Sequence, residues 1–420
     1  MRIKAAIILA AALLFASCTK NDPVSGTGTA SDVMIMYSAG NSNLFQYLAS
    51  DLEDLKGEGL DDALPKPGDG RRLILVTQNA YNGTPPIYVV DVKRDFLGRA
   101  ACDTLLTLND GSQLTSAPTM RRMLEFVRDE VPAERYGMVF SSHGTGWLPE
   151  EFYSTYSESS NVFSTRSIGM HWDKDFNCIE MTIQDFADAL PFNVEYMLID
   201  ACLMGGVETA WQLRDKCGLL AFSQTEILAE GFDYSNLVRR LLVERNPLGA
   251  AQDYFAQYEA KTGVSNSATI SVVDCTAMEP LATVCKDLFE RYRAAIAAVD
   301  PDRVQGYFRF GRHFFYDLRD ILVKSGVADA DIQRLDTALE GCVLYEAHTD
   351  NFMGSFDITD DCGLSMYLPC DGCEELDIFY RKLDWNKATG LVKLIIIHIF
   401  APAFENREVL VQWVPDPFPG

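Results

Sequence analysis

His143, in residues 136–147 (YGMVFSSHGTGW), and Cys202, in residues 194–205 (VEYMLIDACLMG), each follow a short apolar run. A thiol of ordinary pKa is mostly protonated at neutral pH, so a nucleophilic cysteine needs an imidazole to raise its thiolate fraction or relay its proton. Residues that leave neighbouring strands of a parallel sheet converge beyond the strands' carboxyl ends. A histidine and a cysteine so placed predict attack on a carbonyl carbon. Gly144, lacking a side chain, lets its N–H approach that carbonyl, and with the N–H of Cys202 it forms a candidate oxyanion hole. Gly205 and Gly206 allow a tight start to a helix predicted over 207–216, whose positive end would face the thiolate.

Asp200 lies two residues before the cysteine. A carboxylate there is expected to line the adjoining substrate pocket and to bind a cationic side chain, arginine bidentately and lysine second. Orientation of His143 is the rival role for the same acid.

The elements that must carry these residues alternate along the chain. Residues 33–37, 73–78, 87–92, 137–141, 196–199 and 219–223 read as strands. Leu44, Leu48, Leu52 and Leu55 form one helical face, and Ser116-Ala117-Pro118 opens another helix. Unbroken hydrophobicity over 196–199 marks a strand covered on both faces. The expected fold is an α/β sandwich with a mostly parallel sheet. Residues 268–273 and 363–368 also read as strands, while 281–299 and 317–344 read as mainly helical.

A chain of 420 residues, 48% hydrophobic and 23% charged, buries a large core. Its net charge of −24 argues against nucleic acid as a partner and favours a cationic substrate. Arg2 and Lys4 precede a short apolar run that ends at Phe15-Ala16-Ser17-Cys18, the pattern of a lipoprotein signal. Residues 1–17 are expected to be removed and Cys18 lipidated as a membrane anchor, with 18–31 as a flexible tether. This places the protein in a bacterial cell envelope, at the outer membrane or cell surface. The 11 cysteines do not space like a disulfide framework. Cys370 and Cys373 form a lone C-x-x-C, a weak signal for redox or zinc chemistry. His171, His313, His348 and His398 read as structural or surface histidines.

HG-x-GW after a strand, LIDACLMG and GLSMYLP together resemble the clostripain family of cysteine peptidases, as do the opening VMIMYSAGNSNL and residues 168–190. The resemblance covers most of 33–369. It implies a caspase-like α/β/α sandwich over 32–250; the mainly helical residues of 251–420 read as a smaller subdomain, with the return of a strand or two to the main sheet left open. It also implies cleavage after Arg or Lys by His143 and Cys202, with Asp200 as the floor of the specificity pocket. Ser223 and Gln224, after the next strand, are expected to line the substrate. Ser142 stands where the family pattern leads one to expect an acid.

Some relatives cut their own chain between histidine and cysteine. The polar segment 149–167 suits such a loop, with Arg166 as the first candidate and Lys174 as the second, and it reads equally as an ordinary surface loop. Calcium is associated with clostripain, and the resemblance leaves it open here, although no D-x-D-x-D-G loop is present and no cofactor is required. The alternative functional reading is an inactive peptide-binding lipoprotein of the same fold.

Overall fold

The computed structural model describes residues 28–54, 63–150, 152, 168–175, 178–309 and 314–393. The expectations at Cys18, Arg166, His313 and His398 lie outside these residues.

The strands are β1 (Ala30–Ala39), β2 (Arg71–Gln78), β3 (Ile87–Arg94), β4 (Ala100–Leu108), β5 (Ala133–Ser141), β6 (Ile168–Trp172), β7 (Cys178–Met181), β8 (Val194–Asp200), β9 (Cys217–Phe222), β10 (Thr269–Asp274), β11 (Tyr316–Asp317) and β12 (Val343–His348). Nine of them form one sheet in the order β12-β10-β9-β8-β5-β1-β2-β3-β4. The five central strands, β9 to β2, run parallel, and two strands at each edge run antiparallel.

Alternation along each central strand feeds two cores. Val33, Ile35 and Tyr37 of β1 join one apolar cluster, whereas Met34 and Met36 join the other. Met138 and Phe140 of β5 oppose Val139 in the same way. Both faces are therefore dry, as the unbroken apolar runs require.

The helices that matter here are α1 (Phe45–Asp54), α2 (Ala117–Glu130), α3 (Ile183–Ala189), α4 (Val207–Leu213), α5 (Tyr234–Val238), α6 (Pro247–Glu259), α7 (Met278–Arg291) and α8 (Asp329–Cys342). Buried residues of α2, α3, α4, α7 and α8 cover one face of the sheet. Those of α5 and α6 cover the other, and α1 packs on α5. Pro118 stands in the first turn of α2, where its missing N–H costs nothing.

Three expectations change. β4 was not foreseen, because this edge strand is partly exposed on both faces and carries no clean alternation. The helical reading of 317–344 runs too far: Val343 leaves the helical region at φ −86°, ψ 103° and opens β12, which pairs with β10. The strand read over 363–368 shrinks to Ser365–Met366, paired with β11. β10 and β12 thus belong to the same sheet as the first-half strands.

Candidate active site

Strand order reverses at β1: the chain runs from β1 to β2 on one side and later adds β5, β8 and β9 on the other. In an open α/β sheet the crevice at such a reversal, beyond the carboxyl ends, is where ligands bind. The loops that leave β1 and β5 meet there. Ser141 pairs with Asp200 across β5 and β8, so His143 and Cys202, each two residues farther on, leave adjacent strands level with one another.

Gly144 explains how closely the two turns pack. A Cβ built there would lie 2.8 Å from the Cys202 carbonyl oxygen and 3.0 Å from the Ala201 Cβ. Gly146 has φ +60°, and a Cβ on it would come within 2.6 Å of the Leu203 carbonyl oxygen. Leu203 itself adopts φ +59°, a left-handed conformation that costs a non-glycine residue about 1–3 kcal/mol. Its N–H donates to the Thr225 carbonyl at 2.8 Å, which holds the turn immediately after the cysteine.

His143 is half-buried, and its Nε2 lies 2.7 Å from Asn43 Oδ1. An imidazole that donates Nε2–H to an amide oxygen leaves Nδ1 as the proton acceptor, so Asn43 can select tautomer and ring orientation. The His143 carbonyl accepts the Gly169 N–H at 2.9 Å, tying the histidine to β6. Ser142, where an acid was expected, donates its hydroxyl to the Ala39 carbonyl at 2.7 Å and accepts the Met170 N–H at 3.2 Å. It pins the ends of β1, β5 and β6 together.

The thiol of Cys202 meets the loop after β9. Ile227 N–H donates to Sγ at 3.4 Å, and Sγ–H faces the Ile227 carbonyl at 3.7 Å. Burial, then the neighbouring Glu226 carboxylate, pushes the thiol up to about 12. It is therefore protonated at neutral pH in this conformation. Arg309 pairs with Glu226 at 2.7 Å and counters part of that carboxylate's influence.

Asp200 is buried at 7% exposure. Tyr234 donates to its Oδ2 at 2.5 Å and Ser141 at 3.4 Å, yet desolvation outweighs both and raises the carboxyl to about 6. Gly231, at φ +58°, lies against the acid; a Cβ there would sit 2.7 Å from Oδ2. Tyr258 donates to the Gly231 carbonyl at 2.9 Å and fixes that backbone. One loop, 226–233, thus touches the cysteine through Ile227 and the acid through Gly231. No hydrogen bond joins Asp200 to His143 among the described interactions; Asn43 holds the orienting position instead.

Ser223 and Gln224, expected to line the substrate, point inward in this structure. Both are fully buried: Ser223 Oγ lies 2.8 Å from Thr269 Oγ1, and Gln224 Nε2 donates to Ser271 Oγ at 2.7 Å and to the Gly363 carbonyl at 2.5 Å. They brace β9 against β10 rather than face the cleft. The helix expected over 207–216 ends at Leu213, too short for its dipole to be credited with activating the thiol. What supports this turn comes from far along the chain. Gly205 O accepts Ser365 N–H at 2.8 Å, and Glu208, 2% exposed, accepts Tyr367 N–H at 3.0 Å and Tyr380 OH at 2.6 Å. Trp147 stacks edge-on against Tyr367 and Tyr380, both at 5.0 Å between ring centroids.

Lys174 is exposed in the turn between β6 and β7 and pairs with Asp175 at 2.6 Å. His171 is buried, sits 3.1 Å from Asn41 Nδ2 and is lowered to about 4 by desolvation, so it is a neutral structural acceptor. Cys370 faces the Val299 carbonyl at 3.4 Å, and it and Cys373 are free thiols. Among the described residues no group of three or more His, Cys, Asp or Glu side chains is placed to hold a metal ion.

Residues 36–328 match the model of the Clostripain family. The fold is similar to an inactive zymogen protease of Parabacteroides distasonis, with TM-score 0.72 and 25% identity over 87% of this chain and 99% of that one. It is also similar to a secreted cysteine protease of Bacteroides thetaiotaomicron, at TM-score 0.73 and 22% identity over 86% of this chain and 100% of that one. A complex of a secreted Bacteroides thetaiotaomicron cysteine protease with an irreversible peptide inhibitor matches at TM-score 0.71 and 21% identity, over 86% and 99% of the two chains. No curated protein matches the sequence.

Proposed function

The chain belongs to the clostripain family, and from that premise we propose that it is a cysteine endopeptidase that cleaves after Arg, and secondarily Lys, through His143 and Cys202. The observation that carries this reading is the register of β5 on β8, which sets the two residues level at the crevice with Asp200 beside them.

In the proposed reaction the cationic side chain of the substrate pairs with Asp200, and the scissile carbonyl lies over Cys202. His143 accepts the thiol proton as sulfur attacks the carbonyl carbon. The N–H groups of Gly144 and Cys202 take the developing oxyanion. His143 then protonates the departing amine, and water, deprotonated by His143, releases the acyl group. No step needs calcium.

The conformation described above is a resting one. A thiol held near 12 against the Ile227 backbone is a poor nucleophile until the 226–233 loop moves. The Parabacteroides distasonis relative is itself an inactive zymogen. Cleavage at Arg166, with Lys174 as second choice, is the proposed release, since β6 carries the bond to the His143 carbonyl. Export fits the secreted relative; the lipid anchor at Cys18 is proposed from the sequence pattern alone.

The test is hydrolysis of fluorogenic peptides with Arg, Lys, Asp, Asn or Leu before the scissile bond, before and after limited proteolysis. Turnover after Arg and Lys should fall at least ~1000-fold in Cys202→Ala and His143→Ala. Absence of turnover, with peptide binding retained, would favour the inactive binding lipoprotein.

A further inference from the structure

Resting on the reading of Asp200 as a pocket for a basic side chain, we propose that Asp51 is a second carboxylate of that pocket and selects arginine over lysine. Asp51 sits in the middle of α1 and is only 8% exposed, whereas Asp54, one turn later, is exposed. Among the described residues its carboxylate has no hydrogen-bond donor and no cation. A buried acid without a partner is costly, and folds retain one where a ligand supplies the partner. Burial, then Asp200, then Asp54 hold its proton on, with the carboxyl raised to about 8.

The packing brings this acid close enough to Asp200 for the two charges to act on each other. α1 lies on α5, whose Tyr234 hydroxyl donates to Asp200, and both Tyr234 and Tyr258 feel the charges of Asp200 and Asp51 together. Glu230 also acts on Tyr258, and Asp233 acts on Asp54; Lys261 lies over the Tyr258 ring at 4.1 Å and 3.9 Å from Glu230, and among the described residues it pairs with neither Asp51 nor Asp200. One cation entering here relieves both carboxylates. A guanidinium presents five N–H donors in a planar fork that can engage two carboxylates at once, whereas an ammonium is a compact charge that one carboxylate and a tyrosine oxygen can satisfy. Entry of the guanidinium displaces the Asp51 proton to solvent.

The experiment compares wild type, Asp51→Asn and Asp200→Asn in the full chain. For Asp51→Asn, kcat/KM after Arg should fall about 10- to 100-fold, mostly in KM, with less than about threefold loss after Lys. The variant should also melt at a higher temperature than wild type at pH 8, where a merely structural acid would lower it. Calorimetric titration with benzamidine should show proton release at pH 7 in wild type and weaker binding without release in Asp51→Asn. An unchanged Arg-to-Lys ratio with unchanged benzamidine binding overturns the Asp51 proposal. If Asp200→Asn retains full cleavage after Arg, the Asp200 reading itself fails, independently of the Asp51 result. If wild type turns over no peptide, benzamidine binding that depends on Asp51 supports the proposal, and binding indifferent to it overturns it.

Discussion

Asn43 shows what a single residue can contribute without touching substrate. Its Oδ1 lies 2.7 Å from His143 Nε2 and favours the tautomer that carries its proton on that nitrogen. Replacing it with alanine should lower kcat roughly 10-fold, leave KM nearly unchanged and shift the acid limb of the pH–rate profile; Asn43→Asp should recover part of the loss. The placing of His143, Cys202 and Asp200 at neighbouring strand ends was legible from sequence because each follows or ends an apolar run that reads as a strand, and strands fix direction. Asn43 was not, because its partner is set by strand order: β1 lies beside β5 only through a crossover that no local pattern announces. The inward setting of Ser223 and Gln224 was not legible for a related reason. They follow a strand as His143 does, but β10 pairs antiparallel with β9 and draws both side chains inward.

The loop after β9 is the element on which most of the site depends. It packs Ile227 against the thiol, Glu226 near it and Gly231 against Asp200. Gly231→Ala puts a Cβ 2.7 Å from the Asp200 carboxylate in a left-handed conformation, which should cost about 1–2 kcal/mol of stability by thermal unfolding. Cleavage after Arg should suffer in KM as the acid is pushed aside, while alkylation of Cys202 by iodoacetamide should change little. From sequence this stretch, QTEILAEGFD, only follows the strand read over 219–223. Its glycine signals a turn, but the acid it abuts lies thirty residues earlier. The central strands, by contrast, were visible to within a few residues, because dry strands carry unbroken apolar runs.

For the whole molecule, buried acids set the response to pH. Asp51 and Asp361 are raised to about 8, Glu208 to about 7 and Asp200 to about 6, each chiefly by desolvation. Between roughly pH 4 and 8 the folded chain therefore binds more protons than the unfolded one, and stability falls as pH rises through that window. Below it the sign reverses, because Asp32 and Asp110 are lowered to about 2 by arginine and serine partners and lose those bonds on protonation. The melting temperature should be higher at pH 5 than at pH 8, and a differential scanning calorimetry series that shows the opposite slope would refute this.

The support given to the turn after Cys202 by Ser365, Tyr367 and Tyr380 has a consequence for biosynthesis. A polypeptide made and delivered amino end first carries Gly205 and Glu208 long before it carries their partners, which arrive some 160 residues later. The turn therefore consolidates only when nearly the whole chain has emerged. The proposed reactive centre thus lacks this support in a nascent chain until residues 365–380 have been made.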